Sequence, residues 1–275
     1  MASRDYLSGM LAKRLAAFFD AAPAAALVTV AEAKGSTPRE AGAWMVVSPE
    51  KTFGTIGGGQ LEFLAIAKAR ELIAENIATG ALDIPLGPEI GQCCGGRVAL
   101  DIRIAGERDR ADLLRRAEAE DAARPHVYLF GGGHVGHALA AALALLPVRT
   151  VVVETRAEAL EGMPDAVETR LTAVPEEAVR SAPPGSAFVV LTHDHALDFL
   201  ITGEALARND AAYVGMIGSK TKKATFKNWY LKNGGEEARL ARLVTPIGGA
   251  DLRDKRPAVI AALTAAEVMR AVLQQ

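Results

Sequence analysis

Leu7, Met10, Leu11, Leu15, Phe18 and Phe19 recur at helical spacing and predict an opening helix with one buried face. The pattern changes at 26–32, an apolar-rich run of strand length that reads as a buried strand, and two further strands follow at 44–48 and 52–56. Helical periodicity returns over 61–78, and 97–104 alternates apolar with polar positions as a half-buried strand does. From residue 127 the chain repeats strand then helix. Strands at 127–130, 150–154, 166–169, 187–192 and 212–217 alternate with helices at 135–146, 197–207, 220–233 and 257–273. That alternation predicts a parallel, doubly wound sheet. The expected class is α/β: a small mixed α/β domain over 1–105, then a Rossmann-like doubly wound parallel sheet domain over 125–275. Between them, 106–124 is crowded with Glu, Asp and Arg and has few large apolar residues, which predicts a solvated, charged linker helix.

A length of 275 residues suits two domains of ordinary size. The formal charge of −2 offers no broad basic surface for nucleic acid or an anionic membrane. The longest apolar runs, 21–31 and 138–148, are too short to span a bilayer, and no signal-peptide layout opens the chain. The two cysteines are adjacent and give no disulfide framework of the secreted kind. A cytosolic protein without nucleic-acid or membrane partners is expected.

The cysteines carry the sharpest chemistry. In Cys93-Cys94-Gly95-Gly96 a trans peptide holds neighbouring Cα atoms about 3.8 Å apart, whereas an unstrained disulfide spans roughly 4.4–6.8 Å. A bridge between them would be strained and easily reduced, so the pair reads as a reactive or ligand-binding thiol site. The alternative is two small buried hydrophobes. Lys34, Arg39 and the turn Gly57-Gly58-Gly59, which precedes a helix, offer cations and amide groups to an anion in the same domain. Their other reading is as structural turns.

In the second domain, Gly131-Gly132-Gly133-His134-Val135-Gly136 has the spacing of the dinucleotide-binding fingerprint, follows an apolar strand and opens a helix. Glu154 ends the next strand, where an acidic residue can accept ribose hydroxyls, and Arg156 could instead meet a phosphate. His193-Asp194-His195 and Gly218-Ser219-Lys220 fall at the carboxyl ends of later strands, where ligands bind in such sheets, so both should converge with His134 on one crevice. NAD(P) or another nucleotide is one candidate ligand. The fold alone does not select it.

Taken together, the chain resembles the xanthine dehydrogenase accessory factor family, XdhC/CoxI. The resemblance is carried by Gly35-Ser36-Thr37-Pro38-Arg39, Gly54-Thr55-Ile56-Gly57-Gly58-Gly59-Gln60-Leu61-Glu62 and Gly91-Gln92-Cys93-Cys94-Gly95-Gly96. It continues through Phe130-Gly131-Gly132-Gly133-His134-Val135-Gly136, Leu191-Thr192-His193-Asp194-His195, Tyr213-Val214-Gly215-Met216-Ile217-Gly218-Ser219-Lys220 and Pro246-Ile247-Gly248. It implies an accessory protein rather than a turnover enzyme: a chaperone that binds molybdenum cofactor (molybdopterin). Such a protein guards the cofactor while a cysteine desulfurase supplies sulfide, and inserts it into apo-xanthine dehydrogenase.

On this resemblance Cys93 and Cys94 are metal-ligating or sulfur-handling groups. Lys34, Arg39, Gly57, Gly58, Gly59, Gly131, Gly133 and Gly136 would hold the pterin phosphate or another anion. The crevice of His134, Glu154, His193, Asp194, His195, Ser219 and Lys220 would take a nucleotide or part of the cofactor. Many CoxI-type relatives have cysteine after the glycine triplet where this chain has Gln60, which leaves sulfur chemistry to Cys93 and Cys94. The rival class, an NAD(P)-dependent oxidoreductase using Glu154, leaves the paired cysteines and the first domain unemployed. Homo-oligomerisation is compatible with either.

Overall fold

The computed structural model describes residues 11–87, 95–249 and 254–274, in two compact units, the first ending at Ala122 and the second beginning at Ala123. In the first unit α1 (Leu11–Ala21) leads to β1 (Ala26–Lys34), β2 (Trp44–Val47) and β3 (Thr52–Gly54). Then come α2 (Gly59–Glu75), β4 (Thr79–Pro85), β5 (Arg97–Ile104) and α3 (Glu107–Ala122). The strands form one antiparallel sheet in the order β3-β2-β1-β5-β4. Alternation along the strands gives it two apolar faces. Val28, Val30, Met45, Leu100 and Ile102 pack on Leu61, Ala65, Ala69 and Leu72 of α2. Leu27, Val46 and Phe53 pack on Leu15 and Phe19 of α1 and on Leu113 and Ala117 of α3.

Two details depart from the sequence reading. The helix expected over 61–78 ends at Glu75, because Asn76 takes the left-handed conformation (φ 54°) at its C-cap. The chain then turns into β4, an edge strand the hydrophobic pattern did not single out. The expected linker helix, α3, belongs to the first unit. Its Leu113 and Ala117 are buried against α1, and buried Asp121 accepts the backbone N–H groups of Leu11 (3.0 Å) and Ala12 (2.9 Å) at the start of α1. A narrow apolar seam and one carboxylate at a helix N-terminus suffice to dock a helix that is otherwise charged.

The second unit is the expected doubly wound α/β domain. It runs β6 (His126–Phe130), α4 (His134–Leu143), β7 (Arg149–Glu154), β8 (Glu168–Leu171), α5 (Glu176–Arg180) and β9 (Ala187–Val190). It continues through α6 (His195–Ala207), β10 (Tyr213–Met216), α7 (Lys220–Lys232), β11 (Leu243–Val244) and α8 (Pro257–Leu273). The parallel sheet has the order β11-β10-β9-β6-β7-β8, so the winding reverses between β6 and β9. Phe130, Val153, Phe188 and Met216 face helices α5, α6 and α7, while Leu129, Val152, Val189 and Tyr213 face α4 and α8. Among the described residues no helix is long and apolar enough to cross a membrane.

Candidate functional site

One end of the antiparallel sheet gathers the polar residues of the first unit. β1 ends at Lys34, in register with Arg97 at the start of β5, which in turn faces Pro85 at the end of β4. Hydrogen bonds from Leu86 N–H to Gly96 O (2.8 Å) and from Gly95 N–H to Leu86 O (2.9 Å) extend this β4–β5 hairpin. Its connection contains Cys93 and Cys94, which lie outside the described residues. The base of that connection is described, and it is pressed onto the β1–β2 loop. A Cβ on Gly96 would lie 2.3 Å from Ser36 O and 2.8 Å from Lys34 O, so only glycine fits. Gly57 approaches the same loop, where an added Cβ would meet the Pro38 ring at 2.6 Å. The backbone flanking the thiols, the loop with Lys34 and Arg39, and the glycine turn therefore meet at one end of one sheet.

The charges there are unevenly committed. Lys34 is exposed and pairs with Glu32 at 2.8 Å. Arg97 binds Asp83 through two 2.7 Å hydrogen bonds, which hold the Asp83 carboxyl below the usual carboxylate range. Arg39 is exposed and makes no ion pair among the described residues. At the glycine turn, Gly58 caps α2 with φ 77°, but its amide is not open to a ligand. Glu62 Oε2 accepts from Gly58 N–H (3.1 Å), Ile56 N–H (3.2 Å) and the Thr55 hydroxyl (2.5 Å). Part of the expected anion cradle thus holds the chain's own carboxylate. No short motif signals this arrangement, since Thr55 lies seven residues before Glu62 and the N-cap itself is Gly58.

In the second unit three loops meet where the parallel strands end. Gly131 (φ 123°) lies against the chain after β9, so that a Cβ there would come within 2.5 Å of Leu191 O. A Cβ on Gly136 would strike Gly131 O at 2.1 Å, which is the close approach the fingerprint glycines permit. Gly133 caps α4 with open space beside it, and His134 follows, exposed. His193 and His195 are also exposed. Asp194 is used as the N-cap of α6, accepting from Ala196 N–H (2.7 Å) and Leu197 N–H (3.4 Å). Ser219 caps α7 by accepting from Lys222 N–H at 3.3 Å. Among the described residues no group of three or more His, Cys, Asp or Glu side chains is arranged to hold a metal ion.

Glu154 is buried and its oxygens are fully engaged. They accept from Gly132 N–H (2.8 Å), Thr155 N–H (2.7 Å), Arg156 N–H (3.2 Å) and the Arg156 guanidinium (3.3 and 3.5 Å). Burial alone would raise its pKa, but the Gly132 amide, Arg156 and the Thr155 amide outweigh it and hold the carboxyl near about 2. This carboxylate locks the glycine loop to β7.

Sequence reasoning did not find the group that ties the other two loops together. Asp198 is fully buried in α6; its Oδ1 accepts from Thr192 N–H (3.0 Å) and the Thr192 hydroxyl (2.7 Å), and its Oδ2 is paired with Lys222 of α7. The Lys222 stem crosses Gly218 so closely that a Cβ there would meet its Cδ at 2.8 Å. One buried carboxylate therefore fixes the turn after β9 to the turn after β10. Pro246-Ile247-Gly248 serves packing: Gly248 N–H (3.0 Å) and the Tyr213 hydroxyl (2.8 Å) both reach Glu267 on α8, and burial together with Glu267 pushes the tyrosine pKa up.

Residues 127–268 match the XdhC Rossmann domain and residues 20–83 match the XdhC and CoxI family. The chain belongs to the XdhC family. The second of these matches contains Lys34, Arg39 and the glycine turn and stops short of the cysteines. This XdhC-family chain is 25% identical over 254 residues to the uncharacterized Escherichia coli (strain K12) protein YqeB. That alignment covers 89% of this chain and 43% of YqeB, so the chain spans about two fifths of its relative's length. A Bacillus halodurans crystal structure described as a xanthine dehydrogenase superposes with a TM-score of 0.78 over 97% of each chain at 17% identity, a likeness of fold.

Proposed function

We propose that this XdhC-family chain serves xanthine dehydrogenase maturation as a chaperone for molybdenum cofactor. In this reading it receives the molybdopterin-type cofactor as cargo, guards it while a cysteine desulfurase provides sulfide, and releases it to apo-xanthine dehydrogenase. The observation that carries the reading, beside family membership, is the convergence at the end of the antiparallel sheet. Gly95-Gly96, next to the two thiols, packs on the Lys34–Ser36 backbone, with Arg39, Arg97 and the glycine turn belonging to the same end. Soft sulfur ligands beside exposed cations suit a thiolate-ligated metal carried by a phosphate-bearing pterin. The cargo supplies the redox-active metal; this chain's part is to bind, orient and shield it.

The NAD(P)-dependent reading draws on the strand order and the glycine loop, both of which the fold has. It is weakened by Glu154, whose oxygens are already taken up by Gly132, Thr155 and Arg156 and are buried away from a ribose. The test is metal and pterin analysis of protein purified from cofactor-producing cells. Near-stoichiometric pterin, reduced in Cys93→Ala and Cys94→Ala variants of unchanged fold, is the expected result. Hydride turnover with NAD(P)H and no pterin would sink the proposal.

A further inference from the structure

Helix α7 carries five lysines, Lys220, Lys222, Lys223, Lys227 and Lys232, and no acidic residue, in a chain whose formal charge is −2. Lys222 is spent on buried Asp198, and Lys227 pairs with Glu237 at 2.7 Å. Lys220 and Lys223 are exposed and make no ion pair among the described residues. These two and Lys227 line a cavity of 260 Å³ together with Phe226, Leu240 and Leu243. Among the described residues no carboxylate lines it. The side chains around this hollow are thus apolar or cationic.

We propose that this cavity is where the acceptor enzyme docks, through an acidic segment that inserts one apolar side chain between carboxylates. The inference rests on the chaperone reading and adds the surface and its chemistry. The hollow is slightly smaller than the roughly 300–1,000 Å³ of small-molecule sites, and suits a single Leu-, Met- or Phe-sized anchor. Flanking carboxylates would meet Lys220 and Lys223 as Glu237 meets Lys227. A lipid surface or a nucleic-acid backbone would engage dispersed cations and leave the apolar hollow empty. An acidic peptide uses both.

The experiment measures binding of apo-xanthine dehydrogenase to the native chain, to Lys223→Glu and to Ala224→Trp, which reverses one rim charge and fills the cavity respectively. Both positions are exposed, so circular dichroism should be unchanged. Each variant is expected to bind about tenfold more weakly or worse, with pterin content unaffected, and native binding should weaken as salt rises. Native-like binding by both variants would overturn the docking surface and leave the chaperone reading standing. No binding by the native chain would overturn both. Sedimentation with phosphatidylserine vesicles that Lys223→Glu abolishes, alongside unchanged enzyme binding, would reassign the cavity to a membrane and refute the proposal.

Discussion

Replacing Lys222 by Met isolates the buried contact that holds two crevice loops together. Methionine keeps most of the apolar stem lying over Gly218 and removes only the charge that pairs with Asp198. Asp198 is fully buried, so the variant leaves a carboxylate in the interior without its cation. Breaking a buried pair from one side typically costs about 3–5 kcal/mol. Here the lower end applies, because Thr192 still donates its amide and hydroxyl to Oδ1. About 3 kcal/mol in a domain of this size lowers its melting temperature by roughly 6–12 °C. The double variant Asp198→Asn with Lys222→Met removes both charges and should recover a large part of that loss, since the amide oxygen can still accept from Thr192. Calorimetry that follows the second unit's transition measures both, and hydrogen exchange at the Thr192 amide reports the loop directly. A Lys222→Met protein within about 0.5 kcal/mol of native, with Thr192 still protected, would refute the claim that this pair organises the crevice.

Glu154 makes stability depend on acid. Its folded pKa, about 2, lies below the ordinary value of 4.5, so its contribution is present above about pH 4.5 and is lost as pH falls toward 2. Denaturant unfolding should show a loss of the order of 3 kcal/mol across that window, and Glu154→Gln should flatten it. Gly96→Ala should destabilise the first unit by about 1–3 kcal/mol, because its Cβ meets backbone oxygens that cannot rotate away. The same change should alter the rate at which a thiol reagent modifies Cys93 and Cys94, whereas a change in stability alone would detach the cysteine loop from this packing.

Much of the architecture was legible in local pattern. Strand-then-helix alternation after residue 127 leads to the parallel sheet, because the central strands β7, β6, β9 and β10 are buried on both faces and the helices on one. β4 escaped because over Thr79–Pro85 only Ile84 is buried, as an edge strand can allow, and because the helix before it stops on an asparagine. α3 was misplaced for a related reason: charge dominates its composition, while the buried Leu113 and Ala117 decide its position. In the second unit the spacing from Gly131 to Glu154 was readable, but not that Glu154 would turn inward to the loop. Asp198 and Lys222 were unreadable as a pair, since 24 residues separate them and only the adjacency of β9 and β10 brings them together.

The carboxylate of Glu62 changes what it means for an anion to arrive at the glycine turn. The amides of Ile56 and Gly58 and the Thr55 hydroxyl already have a negative partner, so an incoming phosphate enters by exchange rather than by addition. The free energy of seating is then only the difference between two similar sets of hydrogen bonds, less the repulsion between the newcomer and the displaced side chain. An exchange of this kind gives shallow retention and a built-in competitor that resumes its place when the guest leaves. Those are the properties of a hand rather than a lock.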